Sequence, residues 1–425
     1  NTVLPLVPQI GMMYLFLSFL EDSGYMARAA FVMDRLMQAL GLPGKSFVPL
    51  IVGFGCNVPS VMGARTLDAP RERLMTIMMA PFMSCGARLA IFAVFAAAFF
   101  GQNGALAVFS LYVLGIVMAI LTGLMLKYTI MRGEASPFVM ELPVYHVPHI
   151  KSLVIQTWQR LKGFVLRAGK VIVIVSIFLS ALNSFSLSGK VVDNINDSAL
   201  ASVSRVITPV FKPIGVHEDN WQATVGLFTG AMAKEVVVGT LNTLYTAEDI
   251  QNEEFNPQEF SLGDELLAAV DETWQGLKDT FSLSVLANPI EASKGDGEME
   301  TGAMGVMGSK FGSAAAAYSY LIFVLLYIPC ISVMGAIARE SSRGWMMFSV
   351  LWGLNIAYSL STLYYQTVSF SQHPRYSLVC ILAVILFNVV VFGLLRRARS
   401  RVDVSLLATR KPPTSCCQSP AGDCH

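Results

Sequence analysis

The chain has 425 residues, of which 54% are hydrophobic and only 14% are charged. Its mean hydropathy of +0.56 is too high for a soluble domain, which cannot bury that much apolar surface in one core. The net charge of +1 provides no overall basic field for binding nucleic acid. The composition therefore predicts a membrane protein and excludes nucleic acid as a partner.

Eight stretches are long and apolar enough to cross a bilayer, which takes about 20 residues. In chain order they are 3–20, 74–100, 105–126, 171–187, 222–246, 311–338, 344–370 and 376–395. Two further apolar runs, 46–64 and 202–216, contain internal prolines and are interpreted as half-helices or re-entrant turns. Such breaks are tolerated at membrane depth only where protein or a wet cavity covers them. We predict an all-α polytopic membrane protein with about eight transmembrane segments, and we place the transport path near the breaks.

Three polar segments separate or follow these stretches. Residues 132–170 form a basic connecting loop that includes an amphipathic interfacial helix at 150–162. Residues 247–310 are predicted to be an acidic aqueous loop, since fourteen acidic residues there accompany only Lys278 and Lys294 among the basic ones up to residue 300. The tail 396–425 begins with a basic cluster, so the positive-inside rule predicts a cytoplasmic C-terminus.

The predicted topology contains one inconsistency. Counting eight spans back from a cytoplasmic tail places the acidic loop outside, which suits it, but also places the basic stretch 127–170 outside. One crossing is therefore miscounted, and we suspect the segment 202–216.

Two short sequences occur twice. SVMGA spans Ser60–Ala64 and again Ser332–Ala336, and GYMAR at Gly24–Arg28 matches GAMAK at Gly230–Lys234. The repeats predict a duplicated membrane domain, with the first repeat in 1–131 and the second divided between 171–246 and 311–395. Transporters built from inverted repeats place their substrate at the repeat interface, on broken helices. We therefore expect an inverted repeat with its site beside the SVMGA motifs.

The residues around the SVMGA motifs include donors for a borderline or soft transition metal. The proposed metal ligands are the thiols, amide, hydroxyls and thioethers of Cys56, Asn57, Ser60, Met62, Cys330, Ser332 and Met334. Buried cysteine also packs as a small hydrophobe, and proline kinks are common in membrane helices. A purely structural role for these residues therefore stays open.

Ionisable groups inside apolar segments are expensive and mark pairing or transport. Glu21, Asp22 and Glu235 are candidates for attracting a cation, whereas Arg88 and Lys234 are expected to pair with carboxylates. Glu340, after the second SVMGA, also suits charge pairing. The tail residues Cys416, Cys417, Cys424 and His425 form a second candidate metal cluster, with a dispensable tail as the alternative.

No phosphate-binding loop, zincin motif or nucleophile elbow occurs in the sequence. We therefore expect no enzymatic activity from these residues, and we interpret the start at Asn1 as part of a longer protein. Two other functions stay open. One is a symporter for nucleosides or for other solutes and cations, and the other is a non-conducting membrane scaffold of a regulatory GTPase.

Four long motifs carry a family resemblance. GFGCNVPSVMGARTL and YIPCISVMGAIARE resemble the two Gate motifs of the bacterial ferrous iron transport protein B family, and EDSGYMARAAFVMDRL and TGAMAKEVVVGTL are similar to its other signature stretches. The resemblance implies uptake of Fe²⁺ across the bacterial inner membrane, with Cys56 and Cys330 as gate thiols. It also implies a membrane layout reminiscent of concentrative nucleoside transporters.

The same resemblance implies parts and partners outside these residues. In the family, a cytoplasmic GTP-binding domain precedes this membrane region, so GTP and Mg²⁺ are implied for that domain only. Small cytoplasmic accessory proteins and assembly into homo-oligomers are implied as well. Membrane lipid and ferrous iron complete the expected partners.

Overall fold

The computed structural model of the chain describes residues 6–131, 145, 148–163, 198–232, 234, 236–249 and 301–398. These ranges are helical with connecting turns and contain no strand, which confirms the all-α prediction for them. The helices are α1 (Leu6–Asp22), α2 (Tyr25–Leu40), α3 (Phe47–Gly55), α4 (Asn57–Gly63), α5 (Pro70–Met79), α6 (Gly86–Phe99), α7 (Gly104–Thr129), α8 (150–163), α9 (Ala199–Ile207), α10 (Trp221–Met232), α11 (Val236–Asp249), α12 (Thr301–Phe311), α13 (Ala314–Leu326), α14 (Ile331–Glu340), α15 (Arg343–Val368) and α16 (Pro374–Ala398).

Five helical stretches within these ranges are long and apolar enough to cross a membrane. They are Pro70–Phe99, Gly104–Thr129, Ala314–Glu340, Arg343–Val368 and Pro374–Arg397. They confirm five of the predicted segments, and α1 covers most of the predicted segment 3–20. The predicted segment 171–187 lies outside the described residues.

The predicted span 222–246 is instead a helical hairpin formed by α10 and α11. Gly226 faces Leu241 and Gly230 faces Val237, so residues on the two arms pair symmetrically about Lys234, which lies in a turn. A Cβ on Gly230 would lie 2.9 Å from Val237 Cγ2. Two glycines on one face let the arms pack closely, a feature that hydropathy alone does not reveal.

Helices α3 and α4 form a second hairpin, which confirms the re-entrant reading of 46–64. The Ser60 hydroxyl donates a hydrogen bond to the Pro49 carbonyl at 2.6 Å, although a straight helix would separate these residues by about 16 Å. Lys45 and Asp68, which flank the hairpin, form an ion pair at 3.4 Å. Cys56 occupies the tip, in an extended conformation with φ −153° and ψ 130°.

Two of the five spans are interrupted. The span Pro70–Phe99 leaves the α-helix between α5 and α6, where Pro81 lies in a 3₁₀ turn. The span Ala314–Glu340 leaves it at 327–330, between α13 and α14. The described part of the chain thus holds two hairpin tips and two interrupted spans.

The remaining segments refine the predicted boundaries. The acidic loop was predicted to extend to 310, but residues 301–311 form α12, because Met307 and Phe311 are buried. Residues 202–216 form the end of α9 and a 3₁₀ segment, Thr208–Ile214, as expected of a broken helix. The predicted amphipathic segment 150–162 is helical, with Trp158 exposed.

We expect Gly230→Ala to destabilise the protein by about 1–3 kcal/mol, the usual cost of overpacking. The added methyl would meet Val237 and the Tyr327 hydroxyl. Gly239→Ala is the matched control on the same hairpin, since no atom lies within 4 Å of its Cβ position. Melting temperatures of the detergent-solubilised full-length protein should fall for the first variant only. Equal melting temperatures would contradict the close packing of the hairpin arms.

Candidate functional site

The tip of the α3–α4 hairpin places Cys56 between close neighbours. A Cβ built on Gly53 would lie 3.0 Å from the Met83 Cβ. A Cβ built on Gly55 would lie 2.9 Å from the Met13 sulfur. Any larger residue at either glycine would push these neighbours away from the tip. The glycines of the GFGCN sequence therefore bring a thioether from α1 and the interruption of the next span close to the Cys56 backbone.

Asn57 connects this tip to the interrupted span Pro70–Phe99. Its side chain is 4% exposed, and its amide nitrogen donates to the Met83 carbonyl at 3.3 Å. Neither its amide oxygen nor the buried Ser84 hydroxyl has a hydrogen-bond partner among the described residues. Because unpaired buried oxygens are costly, these two atoms are suited to a ligand such as a cation.

Arg88 binds backbone carbonyls rather than the carboxylate predicted from the sequence. It is 1% exposed, and its guanidinium donates to the carbonyls of Pro81 at 2.9 Å and Met83 at 3.0 Å. The interruption frees these carbonyls from helical pairing, and burial makes an unpaired carbonyl costly. Arg88 therefore stabilises the break itself.

Lys234, at the tip of the α10–α11 hairpin, packs beside the second interrupted span. It is 3% exposed, and its ammonium lies 4.9 Å from the centroid of the Tyr327 ring. Tyr327 is three residues before Cys330, and α13, which ends at Leu326, packs against the 3₁₀ turn Ala80–Phe82 that contains Pro81. Together with the Asn57 contact, these interactions join both hairpin tips and both interruptions into one region, which we call the central cluster.

The matched sequences GYMAR and GAMAK also place a cation over an aromatic ring in each repeat. Arg28 lies 3.7 Å from the Tyr145 ring centroid, as Lys234 lies over Tyr327. Cation–π contacts of this kind stabilise a buried or half-buried charge. Both matched sequences make such a contact, but Tyr145 and Tyr327 do not occupy matching positions, so the duplication stays a prediction.

The two SVMGA helices, α4 and α14, pack against each other. Beyond their C-terminal ends, Arg65 donates through Nε to Glu340 Oε2 at 2.7 Å and through a second nitrogen to Oε1, and Arg73 donates to Oε2 at 2.7 Å. The hydrogen bonds raise the pKa of the Arg65 guanidinium above its ordinary value. Cys56 and Cys330 precede the opposite, N-terminal ends. Glu340 is thus charge-paired with arginines that follow the first SVMGA sequence.

The other proposed ligands near the motifs differ in their surroundings. Ser60 is fully buried and donates to the Pro49 carbonyl, so its hydroxyl supports the hairpin. Met62 and Cys330 are half-buried against the hydrophobic core. Ser332 and Met334 are half-buried on the first turn of α14. Their role as metal ligands stays a prediction.

Glu21 lies away from the hairpin tip. It is exposed and accepts a hydrogen bond from Arg160 of α8 at 2.8 Å. It lies eight residues beyond Met13, about 12 Å along α1, whereas Met13 contacts the tip at Gly55. Asp22 is half-buried. Glu235 and the tail residues Cys416, Cys417, Cys424 and His425 lie outside the described residues.

The central cluster is not a closed metal cage. No group of three or more His, Cys, Asp or Glu side chains in the described part of the chain is arranged to hold a metal ion. Two cavities, of about 700 Å³ and 650 Å³, lie elsewhere, and neither is lined by Cys56, Cys85 or Cys330. The donors near the interruptions are thiols, thioethers, an amide and a hydroxyl. Such a mixed set suits brief contacts with an ion.

The sequence analysis did not identify three residues of this region as candidate donors. Cys85 and Ser84 lie in the interruption of the span Pro70–Phe99, and Met13 contacts the hairpin tip. The run Pro-Phe-Met-Ser-Cys-Gly at 81–86 is a break signal inside an apolar stretch. It could have identified Cys85, whereas nothing in the sequence near Met13 indicates its position.

Comparisons with known proteins agree with the motifs. The family described as nucleoside recognition (Gate) matches residues 3–99 and 165–343, and the family described as ferrous iron transport protein B C terminus matches residues 108–160. The Fe(2+) transporters FeoB of Salmonella typhi and Escherichia coli K12 are 91% and 90% identical to the chain over its whole length. The chain covers 55% of each, so it spans about half the length of the curated relatives it matches. No solved structure gives a significant match.

We expect Arg88→Ala to destabilise the protein by about 3 kcal/mol, because two buried carbonyls lose a charged donor. Arg35→Ala is the control, since Arg35 is exposed on α2 and surface changes usually stay within about 0.5 kcal/mol. Melting temperatures of the full-length protein in detergent measure both. A small effect of Arg88→Ala would show that the break does not depend on this guanidinium.

Proposed function

The chain belongs to the Gate family and corresponds to the C-terminal membrane part of ferrous iron transport protein B, and we propose that it is the permease that carries Fe²⁺ across the bacterial inner membrane. The observation that carries the proposal is the central cluster. Both hairpin tips and both interrupted spans are linked there, beside three cysteines. Broken helices at membrane depth supply ion donors in many transporters.

The donor chemistry favours Fe²⁺ over an organic solute. Thiols and thioethers suit borderline and soft transition metals, and Cys56, Cys85, Cys330 and Met13 border the interruptions. The unpaired Asn57 amide oxygen and Ser84 hydroxyl add harder donors. A transport path must release its ion, so a mixed and incomplete donor set fits better than a closed cage.

A buried cation contributes to the electrostatics of this path. Arg88 is 1% exposed and lies at the interruption of the span Pro70–Phe99, so a bare divalent ion there would be repelled. Coordination by cysteine requires the thiolate and releases protons. We infer that Fe²⁺ enters the cluster together with loss of thiol protons, which keeps the local charge nearly balanced.

Cys56 and Cys330 form the gate in this proposal. Each cysteine is the non-helical residue that directly precedes one of the two packed SVMGA helices. A shift of either helix therefore moves a thiol. Asn57, Ser60, Ser332, Met62 and Met334 complete the proposed donor set of the gate. Glu21, Asp22 and Glu235 are proposed to attract the ion outside it.

The ends of the spans support a cytoplasmic C-terminus. Three basic residues at span ends lie at one face: Lys127 near the end of α7, Arg343 at the start of α15 and Arg396 near the end of α16. Arg71 of α5 lies at the same face, since it donates a hydrogen bond to the Met131 carbonyl at 3.0 Å. The positive-inside rule makes this face cytoplasmic. It also places the start of the basic stretch 127–170 inside, which removes the inconsistency of the eight-span count.

Further parts of the system lie outside these residues. GTP and Mg²⁺ would bind in the part of the relatives that this chain does not span. Small cytoplasmic accessory proteins and a second copy of the chain are proposed partners. The tail residues Cys416, Cys417, Cys424 and His425 are a second proposed site for binding or handing over metal.

The double variant Cys56→Ser with Cys330→Ser should reduce Fe²⁺ uptake by roughly tenfold or more, because loss of even an outer-shell partner costs roughly 10- to 100-fold in metal affinity. Uptake is measured under reducing conditions in cells that express the full-length protein at matched membrane levels. Cys380→Ser is the control, since Cys380 lies on the peripheral helix α16.

The outcomes separate the rival functions. Normal Fe²⁺ uptake by the double variant would contradict the thiol gate and would favour the carboxylates as the ligands. Nucleoside uptake without Fe²⁺ uptake would support a symporter, and no uptake by the wild type would support a scaffold.

Cysteine labelling tests the proposed orientation. Asp219 lies at the face opposite the basic one, since its neighbour His217 approaches Gly312 and Gly215 packs against Tyr365 near the end of α15. In spheroplasts, an impermeant maleimide should label Asp219→Cys directly but Lys127→Cys only after permeabilisation, with the wild type as background. The reverse pattern would invert the topology, and direct labelling of both would contradict opposite faces.

A further inference from the structure

Glu340 is held by two arginines of the other repeat. Its side chain is only 2% exposed, and it is the last residue of α14. Arg65 binds both carboxylate oxygens, and Arg73 binds one of them at 2.7 Å. A charged pair of this kind, with two parallel hydrogen bonds from one guanidinium, fixes geometry as well as charge.

The contact joins three elements at one point. Arg65 lies in the 3₁₀ turn that follows α4, Arg73 lies in the first half of α5, and Glu340 ends α14. The hairpin that carries Cys56 and the span that carries Cys85 are thereby fastened to the helix that follows Cys330. Each of the three thiol-bearing elements has one member in this triad.

The triad holds helix ends that would otherwise separate. A carboxylate at the C-terminus of α14 faces the negative end of the helix dipole, and its burial adds a desolvation cost. Both disfavour this position unless the arginines are present. The Arg65 side chain is 58% exposed, so water reaches the triad from the basic face. Water can therefore solvate Glu340 as soon as the helices part, which gives the contact a closed and an open arrangement.

We propose that Glu340, with Arg65 and Arg73, is a positioning latch that holds the two SVMGA helices together and thereby sets the position of the Cys56 and Cys330 thiols. The latch opens when the gate opens toward the basic face. It touches no ion itself. The inference rests on the proposed function only for its link to Fe²⁺ uptake, since the positioning of the thiols can be measured without iron.

The first test measures thiol reactivity in the purified full-length protein. Maleimide labelling rates at Cys56 and Cys330 are followed by peptide mass spectrometry, with Cys380 as the internal reference. Glu340→Gln should raise both rates several-fold and leave Cys380 unchanged. Asp68→Asn is the matched control, since it removes an exposed ion pair at the same face within one repeat and should change neither rate.

Charge exchange separates a specific latch from general packing. The double variant Arg65→Glu with Glu340→Arg keeps the net charge of the triad and should return the labelling rates toward wild-type values. If Glu340→Gln fails to fold, Arg65→Gln replaces it, because Arg65 is largely exposed. Its loss removes the contacts to both carboxylate oxygens, so the labelling rates should still rise.

Each outcome decides one statement. Labelling rates that stay at the wild-type level in Glu340→Gln or Arg65→Gln would overturn the latch. A rise that the exchange does not reverse would also overturn it, since pairing would not be the cause. Wild-type protein that takes up no Fe²⁺ would overturn the proposed permease, while the thiol rates would still decide whether Glu340 positions the cysteines.

Discussion

Backbone that leaves the helix inside an apolar slab must find new hydrogen-bond partners, and this constraint governs the centre of the molecule. Arg88 supplies donors to the carbonyls of Pro81 and Met83, and Asn57 supplies another to Met83. The same residues fasten the hairpin tip to the interruption of the neighbouring span. The same contacts therefore stabilise the breaks and assemble the donor cluster, so a buried cation beside the proposed donors has a structural reason.

The elements that follow from composition were predictable, and the contacts between elements were not. Apolar length found five spans, and Pro49 with two glycines indicated the hairpin at 46–64. The length of the apolar stretch 222–246 could not distinguish one span from a hairpin. Gly226 and Gly230 indicate a hairpin only once their contacts with the opposite arm are known. The sequence predicts a carboxylate partner for Arg88, because a buried charge usually pairs with an opposite charge. Backbone carbonyls that a helix break leaves without partners are an alternative that the sequence does not reveal. The sequence also did not reveal that the Ser60 hydroxyl donates a hydrogen bond to the Pro49 carbonyl, because this contact forms only once the chain folds back; the ligand role of Ser60 stays a prediction.

The two SVMGA sequences lie in different structural contexts. The first SVMGA is the returning arm of a hairpin, whereas the second is the outer part of an interrupted span. What the two copies share is local: a cysteine in extended backbone, a short helix behind it, and charged residues at the far end. The contact of Arg65 with Glu340 shows that the C-terminal ends of the two SVMGA helices lie side by side. The inversion of the repeats stays a prediction.

Charge and soft donors are divided along the SVMGA helices. The arginine and carboxylate groups lie at the C-terminal ends, where water reaches Arg65, and the thiols precede the N-terminal ends, deeper in the protein. A carboxylate beside the thiols would bind a divalent ion strongly and slow its release, whereas at the far end it binds only arginine. The strong electrostatic contact is thereby separated from the proposed donors. In the proposed permease, this separation would allow the two helices to be held firmly while the ion is bound weakly enough to be released.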